Sequence, residues 1–196
     1  GVGLGARWQP REDLALGLGY TSPVWHALTG SAELPALLGH RADARVKVTT
    51  PESLRLGLDW RANDRWRLLA GGEWTRWSRL EALEIDLSNG LTLSERHHWR
   101  DTWRLSLGGE HRRDPWSLRA GLAWDQSPIR DAAHRTPRLP DTDRTWLALG
   151  LGYRADPWQL DAGLAHLIFG ARDGEHPPLA YRSDTTLLAL GLTRSW

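Results

Sequence analysis

The stretch Arg112-Arg113-Asp114-Pro115-Trp116-Ser117-Leu118-Arg119-Ala120-Gly121-Leu122-Ala123-Trp124 decides the fold. Asp114-Pro115 is tight-turn chemistry, because the proline ring fixes φ and the aspartate bonds its own backbone. Beyond it, Trp116, Leu118, Ala120, Leu122 and Trp124 fall on one side of an extended chain. Ser117, Arg119, Gly121 and Ala123 fall on the other. A period of two is the repeat of a β-strand with one apolar face, whereas a helix repeats every three to four residues.

The same device recurs. Pro10-Arg11-Glu12-Asp13, Arg61-Ala62-Asn63-Asp64-Arg65 and Arg154-Ala155-Asp156-Pro157 are polar turn clusters between alternating segments. Leu14, Leu16, Leu18 and Tyr20 oppose Ala15, Gly17, Gly19 and Thr21, and Leu147, Leu149, Leu151 and Tyr153 oppose Trp146, Ala148, Gly150 and Gly152. The pattern predicts nine strands, at 2–9, 14–27, 41–61, 66–87, 98–112, 116–127, 143–154, 158–170 and 184–196. Four short links lie at one end, and long ones at 28–40, 88–97, 128–142 and 171–183 at the other. Pro51 reads as a kink or bulge, since another turn would invert the ends of every later strand. Short turns at one rim and long loops at the other are the habit of an outer-membrane barrel, with the short side periplasmic.

Composition agrees. No apolar run approaches the ~20 residues of a membrane helix, whereas barrel strands need only ~9–11 alternating ones. The 196 residues contain no cysteine, which excludes disulfides, thiol nucleophiles and thiolate zinc sites. A net charge of +1 with interleaved signs excludes an electrostatic nucleic-acid footprint. The chain starts at Gly1, so a removed signal peptide or a missing start is expected.

There are 13 tryptophans against one phenylalanine. Trp8, Trp60, Trp66, Trp116, Trp158 and Trp196 sit near the short-turn end, and Trp25, Trp74, Trp103 and Trp124 toward the long-loop end. From Trp116 to Trp124, a strand tilted by ~40° rises about 21 Å. That matches the ~25 Å apolar band with an aromatic girdle at each edge. The opposite face mixes charge (Arg55, Asp59, Arg67, Glu73, Arg104, Glu110, Arg119, Asp161) with glycine (Gly17, Gly57, Gly71, Gly108, Gly121, Gly150, Gly163). Such a wall suits a plugged lumen or a narrow substrate path, because glycine is used where a sheet bends or another backbone approaches.

Several segments resemble the FadL/TodX outer-membrane transport family, in family order. They are Gly19-Tyr20-Thr21-Ser22-Pro23-Val24-Trp25-His26, Pro51-Glu52-Ser53-Leu54, Glu73-Trp74-Thr75-Arg76-Trp77-Ser78 and Trp99-Arg100-Asp101-Thr102-Trp103-Arg104. The most specific are Asp125-Gln126-Ser127-Pro128-Ile129, Arg135-Thr136-Pro137 and Leu139-Pro140-Asp141-Thr142-Asp143-Arg144-Thr145-Trp146. The resemblance implies an all-β, antiparallel up-and-down transmembrane barrel, with residues 1–196 supplying about nine of 14 strands. It implies that the N-terminal hatch and first strands belong to the same parent chain and lie outside this sequence. It also implies a long-chain fatty acid or other hydrophobic small molecule as ligand, taken up by the outer loops and passed through the lumen of a barrel in the lipid bilayer.

Such a ligand needs an apolar groove for its tail and a cation for its carboxylate. Leu34 and Leu37, with Leu28 and Leu38, offer apolar surface in the loop 28–40, where self-packing is the alternative. Arg96 and Arg100 lie approximately where the resemblance places a basic contact. Arg100 and Arg104 have Glu73 and Glu110 as alternative partners, an arrangement favoured for Arg104. Trp77 and Trp146 fall on the inner face by parity and line a tail path or pack the wall. The alternatives are a structural or small-solute barrel and an outer-membrane lipid-modifying enzyme, for which Ser94 with His97 is the close pair. No catalytic residue, cofactor or metal is expected. His97-His98 beside Glu95 is a poor chelate, since neighbours in a strand point to opposite faces.

Overall fold

The computed structural model describes residues 1–33, 41–131, 133–135, 140–170, 172–174 and 179–195. Leu34, Leu37 and Trp196, expected at the ligand groove and the short-turn rim, lie outside the described residues. The strands are β1 (Gly3–Arg11), β2 (Leu14–Thr21), β3 (Trp25–Glu33), β4 (Arg41–Thr49), β5 (Ser53–Arg61), β6 (Trp66–Thr75), β7 (Ala82–Leu87), β8 (Thr92–Arg96), β9 (Thr102–Arg113), β10 (Trp116–Asp125), β11 (Arg144–Ala155), β12 (Trp158–Phe169), β13 (Arg172–Gly174), β14 (Leu179–Tyr181) and β15 (Asp184–Arg194). A single 3-10 turn, Trp77–Arg79, lies among the described residues.

Nine of these strands form one antiparallel sheet, in the order β1-β2-β5-β6-β9-β10-β11-β12-β15. Every neighbour pair is antiparallel. Among the described residues β1 and β15 are paired on one side only, so the sheet is an open barrel wall. The four short links predicted from turn chemistry join β1 to β2, β5 to β6, β9 to β10 and β11 to β12 at one rim.

The strands predicted at 14–27, 41–61 and 66–87 are each two strands. Breaks fall at Ser22-Pro23-Val24, Thr50-Pro51-Glu52 and residues 76–81, with a fourth at residues 97–101 between β8 and β9. Beyond them β3, β4, β7 and β8 build a second antiparallel sheet. Residues 28–33 and 92–96, expected in loops, therefore belong to strands. Pro51 makes no turn, as expected; the chain passes through it from one sheet to the other. Proline there leaves no N–H to continue either ladder.

The wall is inside out relative to a soluble sheet. Leu149, on the interior strand β11, is 64% exposed, and Leu105, Leu107, Leu118, Leu122 and Leu151 face outward with it. Among the described residues the buried apolar ones are few: Ala15, Ala42, Leu87, Ala123, Ile129 and Leu167. So much exposed leucine on one face requires lipid as its solvent. Trp116 and Tyr153 meet across β10 and β11 at the short-turn rim. Tyr20, Leu54, Trp74 and Trp103 form one cross-strand row near the other rim. Trp25, expected in that row, starts β3 in the second sheet.

Candidate functional site

On the inner face, charge is largely neutralised by register. Arg55 Nε donates to Glu73 at 2.8 Å, and Arg67 donates to both Asp59 oxygens at 2.7 Å. Glu110 accepts from Arg112 at 2.6 Å and Arg119 at 2.7 Å, and Arg119 reaches Asp161 at 2.8 Å. Such pairs fix the wall more than they stabilise it, because these side chains are partly wet.

A cavity of about 530 Å³ opens on this face at the long-loop end. Its lining includes Trp77, Trp99, Arg104, Ile129, Pro140 and Arg144. Arg104 lies opposite Glu73 on β6 and Asp125 on β10. Both acids are engaged elsewhere, Glu73 by Arg55 and Asp125 by Arg144 at 2.9 Å. The pairing of Arg104 with Glu73 or Glu110 favoured from the sequence is therefore absent. Arg104 instead places its guanidinium 5.0 Å from the ring centroid of Trp146, and among the described residues no carboxylate pairs with it. A cation–π contact occupies one face of the guanidinium and leaves its in-plane donors available. Trp146 Nε1, beside it, is buried without a hydrogen-bond partner among the described residues.

The aromatic side of the cavity is a stack. Trp99 lies flat on His97 at 4.5 Å, and Trp77 meets Trp99 edge-on at 5.5 Å. Trp77 is held by the 3-10 turn, which is pinned from two sides. Asp101 accepts from Ser78 N at 3.0 Å, while Glu52 accepts from Arg79 at 2.5 and 2.8 Å and from Arg76 at 3.1 Å. Glu52 precedes β5, outside the membrane-spanning segment. Hydrogen bonding to Arg79 holds its carboxyl far below the usual range, at about 2, against the opposing effect of burial and with help from Arg76.

Residues 126, 128, 129, 140 and 141 border the cavity. Ser127 is 1% exposed. Its N–H donates to Asp143 at 2.8 Å and its hydroxyl to Asp141 at 3.0 Å, while Ile129 N donates to the Ser127 hydroxyl at 3.2 Å. Arg100 donates to the Ser127 carbonyl at 3.0 Å and to Asp143 at 3.4 Å. Arg100 thus clamps Ser127 to Asp143, and Arg96 is exposed at the end of β8, outside the cavity lining. Of the four expected contacts with described positions, Trp77 lines the cavity and Trp146 adjoins it through Arg104. Trp99 and Ile129 join the site without having been singled out for it.

Ser94 and His97 do not form a nucleophile–base pair: no hydrogen bond joins them among the described residues, and His97 is buried under Trp99. His98, at φ 48, turns its ring onto His134 instead. No group of three metal-ligating side chains occurs among the described residues.

An antiparallel wall with a lipid-facing leucine surface, a charged inner face and an inner cavity defines a transmembrane β-barrel of the outer-membrane type. The chain belongs to the family of outer membrane transport proteins described as OMPP1/FadL/TodX, whose match covers residues 1–176. Its place is the outer membrane of a Gram-negative cell. It is 33% identical over 171 residues to outer membrane protein NMB0088 of Neisseria meningitidis serogroup B, across 74% of this chain and 37% of that one. A Pseudomonas aeruginosa FadL homologue superposes with a TM-score of 0.78 and 30% identity, over 87% of this chain and 44% of that one. The Pseudomonas putida toluene transporter TodX shares the fold, with a TM-score of 0.62 and 19% identity over 97% of this chain and 47% of that one. The chain thus spans less than half the length of each.

Proposed function

We propose that this chain forms the wall and ligand station of a channel for long-chain fatty acids or related hydrophobic carboxylates. Arg104 carries the reading. It is a guanidinium that no carboxylate pairs with among the described residues, at the edge of a cavity walled by Trp77, Trp99 and Ile129. A ligand carboxylate supplies the missing charge through two parallel N–H···O bonds, and its tail lies along the indoles. Arg96, exposed where the second sheet joins the wall, serves first capture, together with Leu34 and Leu37. Arg100 holds Ser127 and Asp143 in place. Transport then continues through a lumen completed by further strands and a hatch of the parent chain. The family consists of transport proteins, and no enzymatic step enters this reading.

A structural or small-solute barrel is the second reading, favoured by the self-neutralising pairs Arg55–Glu73 and Asp59–Arg67. Titration of the full-length protein with a fluorescent fatty acid and with the matching alcohol separates the two. The first reading expects saturable binding that prefers the acid by tenfold or more, and equal weak partitioning of both would overturn it.

A further inference from the structure

The opposite end of the inner wall carries a second, separate concentration of charge. A recess of about 230 Å³ at the short-turn rim is lined by Arg7, Arg61, Arg65, Arg67 and Arg112, together with Asp59 and Asp64. Its charge does not balance. Asp59 is fully used by Arg67, and Arg112 shares Glu110 with Arg119. Arg7, Arg61 and Arg65 have no ion pair among the described residues, and the nearby Asp64 offers a single carboxylate for the three. Arg61 also stands directly across the β5–β6 ladder from Arg67. Like charges in that position destabilise a sheet, and the carboxylate that attracts both, Asp59, already gives both its oxygens to Arg67.

We propose that this recess binds a soluble phosphate-type oxyanion. Guanidinium forks match phosphate oxygens with paired N–H donors, and several of them converging on one small volume favour a multiply charged anion over a single carboxylate. The recess is too small for a folded segment. Arg7, Arg61, Arg67 and Arg112 lie on the inward parity of their strands, which points to an anion in the aqueous lumen rather than a lipid headgroup. The tail-binding cavity lies at the other end of the wall, so this site is independent of the proposed fatty-acid station.

The test is calorimetric titration of the full-length protein in neutral detergent with inorganic phosphate, at constant ionic strength set by chloride. Saturable phosphate binding is expected, weakened about tenfold by Arg61→Ala and abolished in Arg7→Ala/Arg61→Ala. In phosphate-free buffer Arg61→Ala is expected to melt no lower than the native protein, because it relieves a like-charge pair. Absent binding, or binding unchanged in the double variant, overturns the proposal. A lower melting temperature of Arg61→Ala without phosphate also overturns it, since carboxylates of the protein itself then fill the recess. Phosphate binding that disappears in nanodiscs containing phosphatidylglycerol but persists in phosphatidylcholine would assign the site to lipid and overturn the soluble ligand.

Discussion

Glu52 and Arg79 lock the junction between the two sheets: one carboxylate accepts two guanidinium hydrogen bonds, at 2.5 and 2.8 Å, across a separation of 27 residues. The bond reaches from the entry of β5 to the turn that carries Trp77, so it couples the barrel wall to the aromatic side of the cavity.

Acid should undo this lock late. The folded carboxyl titrates at about 2, against an ordinary value of 4.5. A depressed carboxylate pKa contributes stability that is fully present above the unfolded value and is lost as pH falls through the folded one. Unfolding followed from pH 7 to pH 2 should therefore show a loss confined to the window below about 4.5. Glu52→Gln should be less stable at pH 7 and lack that acid-dependent part. A variant with the native acid profile would show that the lock contributes nothing.

Arg104→Ala should weaken fatty-acid binding by about tenfold or more, the size of one lost charge-assisted contact of ~1.5–3 kcal/mol. Arg104→Lys should restore only part, because an ammonium lacks the planar fork. Binding of the uncharged alcohol should change little in either variant. Fluorescence titration of both ligands checks the split.

Ser127→Ala removes a hydroxyl that bridges Asp141 and Ile129 N in a buried position. Asp141 keeps Arg144, but Ile129 N loses its acceptor, and a buried donor left without a partner costs about 1–3 kcal/mol locally. The chain should then be cut faster by protease at residues 126–131 and 140–143, while the strands remain protected. Unchanged cleavage would mean that Arg100 and Asp143 suffice to hold these residues.

Leu149→Lys places a charge on the lipid face and should destabilise the barrel in vesicles by ~2–4 kcal/mol near mid-membrane depth. Gly57→Ala, on the inner face, should be tolerated. A Cβ at Gly57 meets nothing within 4 Å, whereas at Gly71 it meets the Ser106 hydroxyl at 2.8 Å. Urea-dependent refolding into vesicles compares the variants, and equal effects of Leu149→Lys and Gly57→Ala would contradict the assignment of faces.

The wall was legible because lipid imposes a strict alternation on it: Leu147, Leu149 and Leu151 against Ala148, Gly150 and Gly152 fix strand, face and register together. The second sheet was not legible. Period two keeps its phase through Pro23 and Pro51, and alternation does not record a change of partner strand; across residues 76–81 the apolar positions move from Leu68 and Trp74 to Leu83, Ile85 and Leu87, a change of phase that marks that break. Trp146 lies on the inner face, as its parity indicated, whereas Trp77 reaches the cavity from a 3-10 turn beyond the end of β6, where strand parity no longer applies. The role of Arg104 did not follow from parity, because Glu73 lies directly across from both Arg55 and Arg104. Only side-chain geometry decides which arginine takes the carboxylate. The role of Arg100 depended on the folded position of Ser127, 27 residues away.

The layer of breaks at residues 22–24, 50–52, 76–81 and 97–101 separates two problems that a continuous barrel would have to solve together. In an uninterrupted strand, a slip of one residue near the tip would turn every leucine below it from lipid to water. Here the pairing pattern restarts at the junction. The outer sheet is therefore free to change length, register and surface chemistry under selection from outside the cell, while the lipid-facing alternation stays fixed. A grafted or shortened outer sheet should still insert.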